Sequence, residues 1–260
     1  MKPAPFTWSA APTLDAACGT MRAGGRAIAG GQSLGPMLNL RIAQPDRLVS
    51  IARISALCGV SETADDVTIG ACVTHAQIED GQAPDIGQDI LPRVAANIAY
   101  RAVRNRGTIG GSLCHADPAA DWVTVLLALG AQALTHAPSG SRIIALDGFF
   151  TGAFRTNLTP GEVLHAIRIP RLTPDARFGY YKICRKPGEF AHAMAAVFIS
   201  KNIARVVIGA LGTIPLVLMG AEATPDGVEP AFRSRTTMLD EVTQHMQLTA
   251  VKRAFARAAA

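Results

Sequence analysis

Two glycine pairs constrain this chain more than any other feature of its sequence. Ala29-Gly30-Gly31-Gln32-Ser33-Leu34 and Thr108-Ile109-Gly110-Gly111-Ser112-Leu113 each place adjacent glycines just ahead of a hydroxyl residue. Such a segment turns tightly and exposes backbone N–H groups that no Cβ obstructs, so a phosphate can reach the main chain. For one segment alone, a tight turn without a ligand is the better account. Two of them, with Arg104 and Arg106 just upstream of the second, point to a diphosphate. Neither is a known single-loop nucleotide signature. The chain lacks G-x-G-x-x-G and G-x-x-x-x-G-K-[ST], which disfavours a Rossmann NAD site and a P-loop and calls for a different dinucleotide fold.

The pattern around the first pair alternates strand and helix. Pro5 to Trp8 reads as a strand, Thr13 to Arg22 as a helix capped by Thr13, Arg26 to Ala29 as a strand running into the glycines, and Arg47 to Ile51 as another strand. Ser33 is placed to cap a short helix through Leu38. Further on, Val67 to Gly70 is a predicted strand, Thr74 caps a helix through Glu79, and Ile90 to Tyr100 has apolar residues at helical spacing. The second glycine pair is predicted to lie in a loop, Arg106 to Ser112. Asp117 then stands as N-cap of a helix to Leu129, with Pro118 in its first turn and Gly130 as terminator. Two β-runs flank Pro138-Ser139-Gly140. Strands follow at Glu162 to Ile169, Phe178 to Cys184, Met194 to Ser200 and Arg205 to Leu211, and a last helix lies around Thr237 to Ala258. A domain boundary is expected at Pro170 to Pro174.

With 260 residues, 49% apolar and 17% charged, the chain can bury a large core, and intrinsic disorder is excluded. A net charge of +5 comes from scattered Lys and Arg without aromatic interleaving, so nucleic acid is not expected as a partner. Cys18, Cys58, Cys72, Cys114 and Cys184 include no C-x-x-C pair and read as reduced cytosolic thiols. The N-terminus has no secretory h-region. The longest apolar stretch, Val206 to Ala221, is broken by glycine and proline and falls short of a bilayer span, so it reads as buried strand and turn. His75, His115, His136, His165, His192 and His245 form no H-E-x-x-H pattern, and there is no G-x-S-x-G elbow. Cys114-His115-x-Asp117 reads as a loop thiol and a capping aspartate rather than a metal site. The residues describe a cofactor carrier without acid-base machinery of its own, and no metal ligands are assigned.

Three segments, AGGQSLGPMLNLRIAQPDRLVSIARI, IGACVTHAQIE and VRNRGTIGGSLCHADPAADW, closely resemble the FAD-binding subunit of molybdenum hydroxylases. That group contains carbon monoxide dehydrogenase and the xanthine dehydrogenase flavin domain. The resemblance implies an α+β fold: a two-subdomain FAD-binding region of the vanillyl-alcohol-oxidase (PCMH) type over 1–172, subdivided near 56, and a small C-terminal domain with an antiparallel sheet and helices over 173–260. It implies that FAD is held by Ala29, Gly30, Gly31, Gln32, Ser33 and Leu34, and by Thr108, Ile109, Gly110, Gly111 and Ser112. The family's flavin-contacting aspartate falls on Asp121, and its leucine before I-x-I-P on Leu164. The lysine of its Y-x-K-x-x-R-K segment falls on Lys182. Where the carbon monoxide dehydrogenase branch has G-D-Y, this chain has Gly188-Glu189-Phe190, which keeps the ring of the tyrosine and loses its hydroxyl.

What the resemblance implies for function is an electron-transfer subunit. FAD on this chain would accept electrons from two-iron two-sulfur clusters of a small partner subunit and deliver them to an external acceptor. A molybdenum-pterin large subunit would oxidise the substrate, and the complex would be a cytoplasmic dimer of heterotrimers. A self-sufficient FAD-dependent oxidase or dehydrogenase of the same fold is the alternative, and would need a base near the flavin. A basic binding module without redox activity is a third reading, which predicts a colourless protein.

Overall fold

The computed structural model describes residues 2–260. The first fifty residues build a small parallel sheet from β1 (Thr7–Ala10), α1 (Leu14–Arg22), β2 (Arg26–Ile28), α2 (Leu34–Asn39) and β3 (Arg47–Ser50), with strand order β1-β3-β2. Thr13 caps α1 as expected, accepting from the Ala16 N–H at 3.2 Å. Ser33 does not cap α2. Its backbone is already helical, at φ −100 and ψ −50, whereas a capping side chain reaches back to the first turn from an extended backbone.

The next stretch supplies β4 (Val60–Glu62), β5 (Asp66–Gly70), α3 (His75–Glu79), α4 (Ile90–Ala96), α5 (Arg101–Arg104), α6 (Ile109–His115), α7 (Asp121–Ala128), β6 (Gln132–Ala137) and β7 (Gly140–Ala145). A small hairpin, β8 (Phe150–Gly152) with β9 (Arg155–Thr156), leads to the long β10 (Val163–Pro170). β10 lies at the centre of a five-stranded antiparallel sheet ordered β4-β5-β10-β6-β7. Three sequence expectations need correction here, and one strand had no counterpart among them. The helical run from Ile90 breaks at Asn97, because Ala99 adopts a left-handed φ of +46. The second glycine pair lies inside α6 rather than in a loop. Asp117 does not cap α7, which begins at Asp121; its Oδ1 accepts from the Ala119 N–H at 2.9 Å and closes a local turn, an arrangement that short acidic side chains favour. The edge strand β4 was not expected, since it is short and exposed along its length and carries no inward-facing pattern.

The chain ends in a four-stranded antiparallel meander, β11 (Arg177–Ile183), β12 (Ala193–Ile199), β13 (Ala204–Gly209) and β14 (Leu216–Met219), followed by α8 (Val228–Arg235) and α9 (Glu241–Ala259). This is the α+β architecture that the resemblance implied. Among the described residues, no helix is long and apolar enough to cross a membrane.

α7 is the centre of the molecule, and every one of its residues is buried. It packs on β12 and β13, and Phe178, Ala196 and Val207 of the meander join the main core with Trp122, Val125 and Leu126 of α7. The opposite face of the meander, including Ala193, Ala195, Val197 and Ile208, is covered by Leu248, Val251 and Ala254 of α9. Burial on both faces explains why β12 reads as an unbroken apolar run instead of alternating.

One buried carboxylate locks the approach to β10. Glu162 accepts from Arg142 Nη2 at 2.6 Å, from the Thr159 N–H and hydroxyl at 2.9 Å each, and from the Thr135 hydroxyl. Burial alone would raise its pKa, but the bonds from Arg142, Thr135 and Thr159 outweigh it and bring the value to about 2. A carboxyl held below its unfolded value stabilises the fold above that unfolded value and loses the contribution as pH falls toward the folded one. Wild type should therefore exceed Glu162→Gln in unfolding free energy by roughly 2–3 kcal/mol near neutral pH. Denaturant titrations should show the gap closing between about pH 5 and pH 2, and a gap that does not change with pH would contradict this account.

Candidate functional site

A large cleft, about 520 Å³ in volume, opens between the parallel sheet and the central sheet. Its walls bring together Ala29 to Leu34, Thr108, Gly110 to Ser112, Asp121, Leu164 and Phe190, segments far apart in the chain. Ile109 is placed otherwise: it is fully buried in the main core and does not reach the cleft. Lys182 does not line the cleft either, and it acts from behind Asp121.

The first glycine segment carries the open donors. β2 ends at Ile28 and α2 begins at Leu34, so the backbone between them belongs to neither ladder. Among the described residues, the N–H groups of Gly30, Gly31, Gln32 and Ser33 find no protein acceptor. Gly31 sits at φ +71, where a side chain would be strained. A Cβ on Gly30 would fall 1.9 Å from the Arg106 carbonyl oxygen, so only glycine lets this segment lie directly on the second one.

The second segment does different work. The N–H of Ile109 donates to Val73 O, that of Gly110 to Ala71 O, that of Gly111 to Thr108 Oγ1 and that of Ser112 to Thr108 O. Each is therefore engaged within the protein, and the expected row of free amides is absent at Ile109 to Ser112. Thr108 is the cap of α6, and Gly110 is required because a Cβ there would meet Ala71 at 2.4 Å. This segment presses α6 against the end of β5 and forms a wall of the cleft.

Two arginines upstream, Arg101 and Arg104, are also committed elsewhere. Arg104 donates to Glu79 through Nε at 2.7 Å and Nη2 at 2.9 Å, and its Nη1 caps the carbonyls of Ile98 and Ala99. Arg101 pairs with Asp80 and Glu79. These arginines fasten α5 to the end of α3, and the inference that Arg104 waits for a phosphate is corrected.

Asp121 opens α7 with its carboxylate at the cleft wall. Its Oδ1 accepts from Lys182 Nζ at 2.8 Å and from the Tyr180 hydroxyl at 2.7 Å, both on β11. The ion pair is almost fully enclosed, with side-chain exposures of 7% for Lys182 and 6% for Asp121. Burial pushes the Asp121 carboxyl above its ordinary pKa, and Lys182 and Tyr180 act against that shift. Lys182 also donates to Asn97 O at 2.9 Å, and the Ala99 N–H donates to Gly188 O at 3.0 Å. These two bonds hold the Gly188-Glu189-Phe190 loop at the cleft rim, where Phe190 is 63% exposed. Leu164, on β10, is buried against the same cavity. Sequence reasoning passed over His75, which lines the cleft and receives a hydrogen bond from Trp122. The T-H at the head of a capping box was its only local signal.

Comparison with known proteins gives consistent matches. The family described as "FAD binding domain in molybdopterin dehydrogenase" matches residues 4–172. The nicotine 6-hydroxylase medium subunit of Paenarthrobacter nicotinovorans is 34% identical over 228 residues, covering 83% of this chain and 80% of that protein. The carbon monoxide dehydrogenase medium chain of Hydrogenophaga pseudoflava is 36% identical over 184 residues, covering 71% of this chain and 64% of that one. A solved structure of carbon monoxide dehydrogenase from Hydrogenophaga pseudoflava, in a form lacking the Mo-pyranopterin moiety of the molybdenum cofactor, superposes with a TM-score of 0.90 at 31% identity. It covers 99% of this chain and 98% of that one.

The enclosed ion pair makes a sharp prediction. Removing one partner of a buried pair strands the other charge, at a cost of about 3–5 kcal/mol. Lys182→Met should lose about that much in denaturant unfolding of the FAD-free protein, whereas adding Asp121→Asn to it should recover a large part. Strictly additive losses in the double variant would show that the two charges are not coupled.

Proposed function

Since the chain belongs to the family of FAD-binding domains of molybdopterin dehydrogenases, where it is the FAD-carrying medium subunit of an oxidoreductase, we propose that its cleft binds FAD through the unengaged amides of Gly30 to Ser33. In this reading the diphosphate lies beside those amides and the flavin ring beside Asp121, Leu164 and Phe190. The open donors on a cavity of about 520 Å³ carry the reading, because backbone amides facing a cavity bind phosphate oxygens without needing a cation. The second segment contributes Thr108, Gly110, Gly111 and Ser112 as wall, with Ile109 anchoring it from the core. Lys182 serves FAD indirectly by holding the Asp121 carboxylate in place.

Bound FAD supplies the redox chemistry, and the chain supplies position and electrostatics. The electrons come from two-iron two-sulfur clusters on a small partner subunit and leave to an external acceptor, while a molybdenum-pterin large subunit handles the substrate. The complex is a dimer of such heterotrimers in the cytoplasm. Residues 1–172 form the FAD-binding domain, and 173–260 the C-terminal domain that sets Phe190 at the rim.

The flavin should be noncovalent and released as FAD by acid precipitation, and colour retained in the pellet would contradict the cradle. Phe190→Ala should leave the fold intact, because the side chain is mostly exposed, and should shift the flavin potential or weaken FAD binding. Unchanged values would remove Phe190 from the site. Substrate should reduce the flavin only when both partner subunits are present; reduction by this chain alone would establish the self-sufficient enzyme instead.

A further inference from the structure

His75 has two ring nitrogens in different circumstances. Its backbone is held by a capping box, with Thr74 and Gln77 exchanging bonds at the head of α3, and its own N–H donates to Gly107 O at 2.9 Å. The ring is buried, and Nδ1 lies 3.1 Å from Nε1 of the fully buried Trp122. An indole N–H can only donate, so Nδ1 is the acceptor and the proton of the neutral ring is on Nε2. That Nε2–H has no partner among the described residues. It lies 3.1 Å from the position a Cβ would take on Gly107, in the wall of the cleft. Gly30 packs on the same backbone, its own Cβ position 3.0 Å from Gly107 Cα. One oriented side-chain donor and the unengaged amides of the first glycine segment therefore border the same stretch of main chain.

We propose that His75 donates its Nε2–H to the FAD diphosphate as a neutral imidazole, with Trp122 as the positioning residue that sets the tautomer. The proposal rests on the FAD reading of the cleft. Burial, assisted by the Arg104 guanidinium, lowers the His75 pKa to about 4, so the donor is not an imidazolium. The chemistry suits a buried cradle: a neutral donor stabilises phosphate oxygens without leaving an unpaired buried charge when the cleft holds no nucleotide. The nearby cations Arg101 and Arg104 are already paired with Glu79 and Asp80.

The test separates donation from structural support. In His75→Asn the side-chain oxygen can still accept from Trp122 Nε1, but no donor reaches the Nε2 position, whereas His75→Gln extends an amide donor toward it. FAD and ADP, which carry a diphosphate, and riboflavin, which does not, are titrated into the flavin-free full chain. His75→Asn should weaken FAD and ADP by roughly tenfold to a hundredfold and leave riboflavin unchanged, the range expected for a hydrogen bond to a charged group. His75→Gln should recover most of the loss. Wild-type FAD affinity in folded His75→Asn would overturn the proposal, as would an equal loss of riboflavin. If the variants fail to fold, the ¹⁵N shift of His75 Nε2 in wild type decides: movement on adding FAD and ADP is expected, and no movement refutes donation. Failure of wild type to bind FAD at all would instead refute the reading of the cleft.

Discussion

Two consecutive residues at the head of α7 bear the constraint on which the cleft depends. α7 is buried throughout, so its polar groups depend on partners inside the protein; the Thr124 hydroxyl goes without one, but the two residues at the head of the helix are paired. Asp121 finds Lys182 and Tyr180 on the C-terminal meander, and Trp122 finds His75 on α3. The same turn of helix therefore ties the meander to one side of the cavity and α3 to the other. A lapse in either contact would leave a buried charge or an unpaired indole N–H, and this penalty, rather than contact area, holds the walls in register.

The two glycine pairs look alike in sequence and have divided the labour between them. Gly30 and Gly31 leave a backbone that no ladder claims, while Gly110 and Gly111 sit in the opening turn of α6 with their amides consumed by Ala71 and Thr108. The first pair presents donors. The second allows two backbones to meet, and so brings α6, β5 and the first segment close enough to enclose a cavity. Charge follows a similar economy: Arg101 and Arg104, upstream of the second pair, neutralise Glu79 and Asp80, and main-chain dipoles and a neutral histidine border the cleft beside the first segment.

Much of the local structure was legible in the sequence because it is decided locally. Thr13 and Thr74 cap their helices through bonds spanning three residues, and the Pro138-Ser139-Gly140 turn joins β6 to β7. The segments around both glycine pairs carried the family resemblance and, with it, the α+β architecture and the cofactor. Ser33 and Asp117 were misread for the opposite reason: each has the right side chain for a cap, but the backbone around it is committed, Ser33 to a helical conformation and Asp117 to a turn through Pro118 and Ala119.

What only the tertiary structure decided is which polar groups remain free. The pairs that settle the question, Gly30 with Arg106, His75 with Trp122, and Asp121 with Lys182, join residues tens of positions apart, and nothing in the spacing of either member announces the other. Composition and pattern determined that this chain would turn at its glycines and bury its aliphatic residues. Whether an amide, a guanidinium or an imidazole nitrogen faces a neighbour or a cavity is fixed by packing, because each group has few bonding sites and the first partner to reach them in the fold removes them from use.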